Sequence, residues 1–229
     1  MEEFRDVDLS GARFQNVNLT GATFREAMLV NVRLSGLIDG LVVNDIEVAP
    51  LIREEMDRRF PERTKLRPID ADGVREAWAT IEELWVSTMR RVRELPEPLL
   101  HVRVDGEWSF LETLRHLVFV VDVWITGNAL GQHGQFHSHG VAPTFIVDPA
   151  AMGIDVDADP SLDEVEAMRN DRMRTVRDLV AGLSDDDLKH TVGEHTLLRC
   201  LLTLFDEEWH HHWYATRDLD TLTAGDGPH

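Results

Sequence analysis

The stretch Asp206–His212 reads DEEWHHH and lies near the end of a strongly apolar run, residues 196–218, with the period of a helix. Each of its three histidines follows an acidic residue by four positions. Because residues four apart lie one above the other on a helix, each pair offers a carboxylate and an imidazole to one metal ion. The stretch therefore predicts a helix that carries either two metal ligands or a buried Glu–His hydrogen bond.

The apolar face of this helix favours one of the three pairs. At about 100° per residue, an inward arc is defined by Leu197, Leu201, Leu204, Phe205 and Ala215. Glu208 and His212 fall inside this arc, about 40° apart, whereas Glu207 falls well outside it and His211 lies near its edge. An acid and a histidine on an apolar face are costly unless they are paired or bound to something. The pattern selects Glu208 and His212, as ligands or as a contact between helices.

Four long helices are predicted from the apolar periodicity of the chain after the first 69 residues. The second begins at a capping box, Ser109 and Glu112, runs to about Asn128, and is apolar almost all round, as a central bundle helix is. Another capping box, Ser161 and Glu164, begins the third helix, and the last helix carries DEEWHHH. The predicted fold class is therefore mainly α, a four-helix bundle.

The second helix carries a single histidine, His116, on its apolar face. A lone histidine there is more often a core residue than a ligand. Helical bundles, however, build metal sites from two facing helices, one of which gives one ligand and the other gives two. Three protein ligands leave an open coordination position. The sequence predicts a metal centre of His116, Glu208 and His212, with His211 as the substitute if the ligand differs by one position.

The first 37 residues repeat with a period of five, which fits neither a helix nor a strand. The large residue of each copy is Phe4, Leu9, Phe14, Leu19, Phe24, Leu29 or Leu34. The segment resembles the pentapeptide-repeat family, which implies a short β-solenoid of fewer than two coils. Solenoids this short rarely stand alone. We expect a structural cap or interaction surface that leans on the rest of the chain.

Composition and domain boundaries complete the outline. We expect a pentapeptide-repeat segment at 1–40, a linker with a short helix at 41–69, the bundle at 70–222 and a disordered tail at 223–229. The net charge of −19 argues against a nucleic acid or an anionic membrane as partner. One cysteine, no signal core and no long apolar run suggest a cytoplasmic protein. A small-molecule substrate is expected, and the apolar helices are compatible with a homodimer.

Two segments resemble the DinB-like superfamily, which includes the mycothiol-dependent maleylpyruvate isomerases and the bacillithiol transferases. They are Asp105–Leu117, DGEWSFLETLRHL, and Glu208–Tyr214, EWHHHWY. The resemblance covers roughly residues 70–222 and implies a four-helix bundle that holds a divalent metal with three residues. Carried over to this chain, those residues are His116, Glu208 and His212, with glutamate where many members have histidine. A bundle of this type behind a pentapeptide-repeat segment is an architecture found in bacteria.

The resemblance also implies a chemistry. In the family, the metal binds a low-molecular-weight thiol such as mycothiol or bacillithiol and lowers its pKa for attack on an electrophile. Metal-assisted hydrolysis is the other enzymatic option. Zinc is the expected metal, and nickel or manganese also accept this ligand set. The loop from Gly131 to Pro160 is long enough to form one wall of a cleft. The alternative is a non-catalytic binding or scaffold protein with a structural or vestigial metal site.

Overall fold

The computed structural model describes residues 3–224, and it begins with the repeat segment, residues 3–37. There the backbone enters the left-handed region once every five residues, at Asp6, Gly11, Asn16, Gly21, Glu26, Asn31 and Gly36. Glycine and asparagine adopt positive φ more readily than most residues, so the sequence and the backbone share one period. The large repeat residues are exposed, Phe14 at 61%. Residues 3–41 contain no strand, so the β-solenoid stays a prediction.

The repeat segment contacts the bundle at the turn before the bundle's central helix. Arg13 Nη1 donates a hydrogen bond to the main-chain oxygen of Asp105 at 3.2 Å. Gln15 Nε2 donates to the main-chain oxygen of Gly106, also at 3.2 Å. Both acceptors lie in a tight turn, because Asp105 and Gly106 have positive φ. A repeat segment too short to fold alone requires such support.

A short hairpin and a helix connect the repeat segment to the bundle. Strand β1 (Val42–Val43) pairs antiparallel with β2 (Ile46–Glu47). Helix α1 (Ala49–Arg59) follows, with Pro50 in its first turn, where a missing backbone N–H leaves no intrahelical bond unmade. A 3₁₀ turn, Pro61–Leu66, leads into the bundle. The chain between the repeat segment and the bundle therefore carries a short helix, Ala49–Arg59.

The bundle consists of four long helices and one short one, in a mainly α fold that confirms the predicted class. In chain order they are α2 (Ala71–Val92), short α3 (Glu97–Leu100), α4 (Phe110–Val121), α5 (Leu162–Ala181) and α6 (Leu197–Thr223). Both α2 and α4 pack against α5 and α6. A hairpin of β3 (Thr191–Val192) and β4 (His195–Thr196) precedes α6. The predicted tail lies, from residue 225, outside the described residues.

Helix α4 lies at the centre of the bundle, and every one of its residues except Glu112 is buried. Beyond Val121 the chain continues in π-helical turns, Asp122–Ala129. The apolar pattern predicts a helix up to about Asn128 but does not distinguish α from π geometry. The first π residue is anchored, since buried Asp122 accepts a hydrogen bond from Arg172 Nε at 2.7 Å. Between residues 3 and 224, no helix has the length and hydropathy to cross a membrane.

Replacing Ser161 with alanine is expected to destabilise the protein by about 1 kcal/mol, because a capped helix start loses its side-chain acceptor. Ser161 and Glu164 form the predicted capping box, in which Ser161 Oγ accepts a hydrogen bond from Glu164 N at 3.4 Å. Urea denaturation measures the change. Ser87→Ala is the matched control, because Ser87 is exposed within α2. A cost for Ser161→Ala no larger than that of the control contradicts the prediction.

Candidate metal centre

His116 is buried in the middle of α4, with 5% of its surface exposed. Its Nδ1 lies 2.9 Å from the main-chain oxygen of Val141. Because a carbonyl oxygen only accepts hydrogen bonds, Nδ1 carries the proton and donates it. In the neutral ring, Nε2 is then the free acceptor. A second partner that fixes the tautomer in this way is typical of histidines that bind metals.

Two residues of α6 lie next to His116. Glu207 and His211 are four residues apart on this helix, and His211 Nε2 lies 3.2 Å from Glu207 Oε2. His116 Nε2 lies 3.9 Å from the same oxygen. One ligand atom from each residue lies within 4.8 Å of the other two. Ligands around a tetrahedral zinc ion are roughly 3.4 Å apart, so the spacing suits one ion.

The charges of this cluster, His116, Glu207 and His211, also suit a cation. Burial opposes the charge of Glu207, but the neighbouring His116 and His211 outweigh this effect and lower the pKa of Glu207 to about 2. Burial lowers the pKa of His211, although the neighbouring Glu207 partly offsets this effect. At neutral pH the cluster therefore presents a carboxylate and an uncharged His211 ring, the protonation states that metal ligands need.

Aromatic rings line the cluster on one side. The Trp108 ring centroid lies 4.4 Å from that of His116 and 5.8 Å from that of His211. Phe119 stacks near His116, with a centroid distance of 6.2 Å, and Phe136 from the long loop stacks on Phe119 at 5.4 Å. These rings shield the cluster from water on that side, while Glu207 remains partly exposed.

The ligand pair selected by the apolar arc, Glu208 and His212, is not brought to His116. Glu208 is fully buried, where it accepts a hydrogen bond from Trp85 Nε1 at 2.8 Å and forms an ion pair with Arg169. The arc therefore identifies a buried side chain, but the burial is against α2 and α5. One position along a helix is a rotation of about 100°. The group of potential ligands that forms against α4 consequently contains Glu207 in place of Glu208.

His212 is likewise held by α2. Its Nε2 lies 2.7 Å from Thr88 Oγ1, and its ring meets that of Trp85 edge-on at 4.9 Å. Burial lowers the pKa of His212 to about 4, so this ring is neutral at physiological pH. The structure thus gives Glu208 and His212 separate contacts with other helices, and not the Glu–His hydrogen bond that the sequence pattern left open. His211, predicted as the substitute ligand, lies beside His116.

The long loop between the π-helical turns and α5 supports the cluster without adding a ligand. Arg115 Nε donates to the main-chain oxygen of His139 at 2.7 Å, two residues before the Val141 oxygen that holds His116. His137 is tied to the bundle through its main-chain N–H, which donates to Asp122 at 2.8 Å. The loop contains three histidines, His133, His137 and His139. Within residues 3–224, none of them joins a group of three or more potential metal ligands.

Sequence reasoning missed three contributors to the cluster. Glu207 was excluded because it lies outside the apolar arc, and the Val141 oxygen leaves no signal because any residue supplies a main-chain carbonyl. Trp108 stands in the motif DGEWS, but its position over two histidines depends on the packing of α6 against α4. The spacing of four residues was the available signal for Glu207 and His211.

Comparisons with known families agree with the two parts of the chain. The family model of the DinB superfamily matches residues 80–215, a span that contains all three residues of the cluster. The model of pentapeptide repeats matches residues 3–36 in eight copies. No curated protein matches the sequence.

Proposed function

Because the chain belongs to the DinB superfamily, we propose that it is a metal-dependent enzyme whose divalent ion is held by His116, Glu207 and His211. The observation that supports this most is the convergence of these three side chains. Among residues 3–224 they form the one group of histidine, cysteine and acidic side chains whose ligand atoms approach within 4.8 Å. The three come from facing helices, as in other metal-binding bundles.

The ligand set fits a divalent transition metal. Two imidazole nitrogens and one carboxylate oxygen suit zinc, and nickel or manganese also accept them. Three protein ligands leave a coordination position for an exogenous group, as in catalytic zinc sites. Partial exposure of Glu207 and His211 gives such a group a path from solvent. We therefore favour a catalytic role over a closed structural one.

The surrounding residues prepare the site before an ion binds. The Val141 oxygen holds the His116 ring with Nε2 directed away from the loop, so little reorganisation is needed. Glu207 supplies one negative charge, which offsets part of the charge of a divalent ion. Trp108 and Phe119 restrict water on one side and so strengthen the electrostatic interactions inside.

A divalent ion at this site would lower the pKa of a thiol or a water molecule that binds it. Of these two, we propose that a low-molecular-weight thiol, such as mycothiol or bacillithiol, is the physiological partner and is transferred to an electrophile. Membership of the superfamily supports this choice. Hydrolysis is the second enzymatic option, and a scaffold protein that binds metal without turnover is the non-enzymatic one.

The test is thiol-dependent turnover by the zinc-loaded protein, with mycothiol or bacillithiol and 1-chloro-2,4-dinitrobenzene as electrophile. Glu207→Gln is expected to lower the rate above background roughly 100-fold, since the site loses a charged ligand. Asp206→Asn is the matched control, because exposed Asp206 pairs with His210 outside the cluster. It should retain the parent rate.

The outcomes separate the three functions. Thiol consumption that needs metal and Glu207 supports thiol transfer. Cleavage of p-nitrophenyl acetate without any thiol, with the same dependence on Glu207, supports hydrolysis and overturns the choice of thiol. Stoichiometric metal binding with neither activity favours the scaffold protein.

A further inference from the structure

A second cleft lies beside α4, at its N-terminal half. We call it the Arg115 cleft, and it has a volume of about 750 Å³. None of the three candidate metal ligands, His116, Glu207 and His211, lines it. Its lining combines apolar side chains with three basic ones. The basic residues are His101, Arg103 and Arg115.

Arg115 differs from the other two because it is both buried and incompletely paired. Its side chain lines the cleft although only 7% of the residue is exposed. Nε donates to the His139 oxygen at 2.7 Å, but neither Nη group has a hydrogen-bond partner among residues 3–224. The Nη groups are not among the fully buried polar atoms that lack a partner, so these donors reach the cleft, where an anion can accept from them.

The other basic groups of the cleft already have partners. Arg103 binds Glu112, with Nε 2.8 Å from Oε2. His101 Nδ1 lies 3.1 Å from Asp159 Oδ1. The fork of Nη donors on Arg115 is therefore the part of the cleft available to an incoming anion, and such a fork matches a carboxylate bidentately.

We propose that the Arg115 cleft binds the carboxylate of a ligand that carries an apolar body. Leu111, Val156 and Pro160 supply apolar lining for that body. Four acidic residues also line the cleft, namely Glu97, Glu112, Asp157 and Asp159. Their charge disfavours a dianion such as phosphate more than a singly charged carboxylate. The site is independent of the metal function proposed above.

The experiment is a calorimetric titration of the full-length protein with benzoate, which joins a carboxylate to an apolar ring. Saturable binding in the millimolar range is expected. Benzamide, which has the same shape without the charge, and inorganic phosphate should each bind at least tenfold more weakly. Binding of benzamide or phosphate as tight as that of benzoate overturns the proposal, and so does the absence of benzoate binding.

Variants test the role of Arg115. Arg115→Gln should weaken benzoate binding at least tenfold, whereas Arg115→Lys, which keeps the charge, should recover part of it. Arg103→Gln is the matched control within the cleft and should change affinity less than twofold, because Glu112 already occupies Arg103. Circular dichroism verifies folding. If Arg115→Gln is unfolded, the benzoate affinity of Arg115→Lys alone decides whether Arg115 binds the carboxylate. Parental benzoate affinity in a folded Arg115 variant overturns the assignment.

Benzoate could also bind a metal ion, so the titration is repeated with His211→Ala. The proposal requires that benzoate affinity persists in this variant. If benzoate binding is lost with His211→Ala and retained with Arg115→Gln, the carboxylate binds at the candidate metal site. That result overturns the proposal for the Arg115 cleft. A failure of the proposed enzymatic function leaves this readout unchanged, because it measures no turnover.

Discussion

Replacing His211 with alanine is expected to reduce the metal content of the purified protein from about one equivalent per chain to near zero. His116→Ala should do the same. The reason is geometric, since His211 Nε2 and His116 Nε2 lie 3.2 Å and 3.9 Å from the same Glu207 oxygen. An open three-ligand site that loses one imidazole keeps only two protein ligands. Elemental analysis of protein purified without chelators measures the result.

The three consecutive histidines provide controls of identical chemistry. His210→Ala and His212→Ala should both retain metal, because His210 pairs with Asp206 and His212 with Thr88. His212→Ala also removes a contact between α2 and α6, so its melting temperature is recorded beside its metal content. Metal that remains after His211→Ala but leaves a folded His212→Ala protein would refute our assignment and support Glu208 and His212 as the pair.

Breaking the buried ion pair between α5 and α6 is expected to have the largest effect on stability. Glu208 is fully buried, and Arg169 and Trp85 are its partners. Arg169→Met leaves the carboxylate without its cation, which should cost about 3–5 kcal/mol of unfolding free energy. Arg169 Nε, Arg169 Nη1 and Glu208 Oε1 have no hydrogen-bond partner within residues 3–224. The pair is therefore incompletely compensated even when intact.

A second substitution distinguishes the charge from the packing. Arg169→Met combined with Glu208→Gln should recover most of the lost stability, because a neutral amide still accepts from Trp85. Arg177→Met is the control on the same helix, since Arg177 forms an exposed ion pair with Glu82, and it should cost at most about 1 kcal/mol. Urea denaturation compares all four proteins. If the double variant is as unstable as Arg169→Met, the cost lies in packing and not in the unpaired charge.

Much of the fold was predictable because its signals are local. Capping boxes such as Ser109 with Glu112, and the apolar periodicity of the long helices, depend on residues a few positions apart. The five-residue period of the N-terminal segment is also local, and it appears again as one left-handed residue in every five. These features need no knowledge of how the helices are arranged in space.

The ligand pair was harder to predict, because it depends on which helix faces which side of α6. The apolar arc correctly indicated that Glu208 is buried, yet it carries no information on whether α2 or α4 covers a given part of the arc. Glu208 contacts Trp85 of α2, and His212 contacts Thr88 of the same helix. The adjacent strip of α6, which carries Glu207 and His211, faces α4. The candidate metal site thus lies at the edge of the apolar face, where a partly exposed acid and a partly exposed histidine of α6 meet His116.

The contact between His116 and Val141 has a consequence for how this protein can change. Its acceptor is a main-chain carbonyl, and it lies 25 residues away along the chain. The histidine is therefore oriented by the path of the loop and not by the identity of its side chains. Substitutions at position 141 preserve the carbonyl oxygen that accepts from His116. The carbonyl oxygens of residues 139 and 141 accept from Arg115 and His116, and an insertion or deletion between these two positions displaces the acceptor of His116. Between positions 139 and 141 the loop is therefore constrained in length more than in the identity of residue 141.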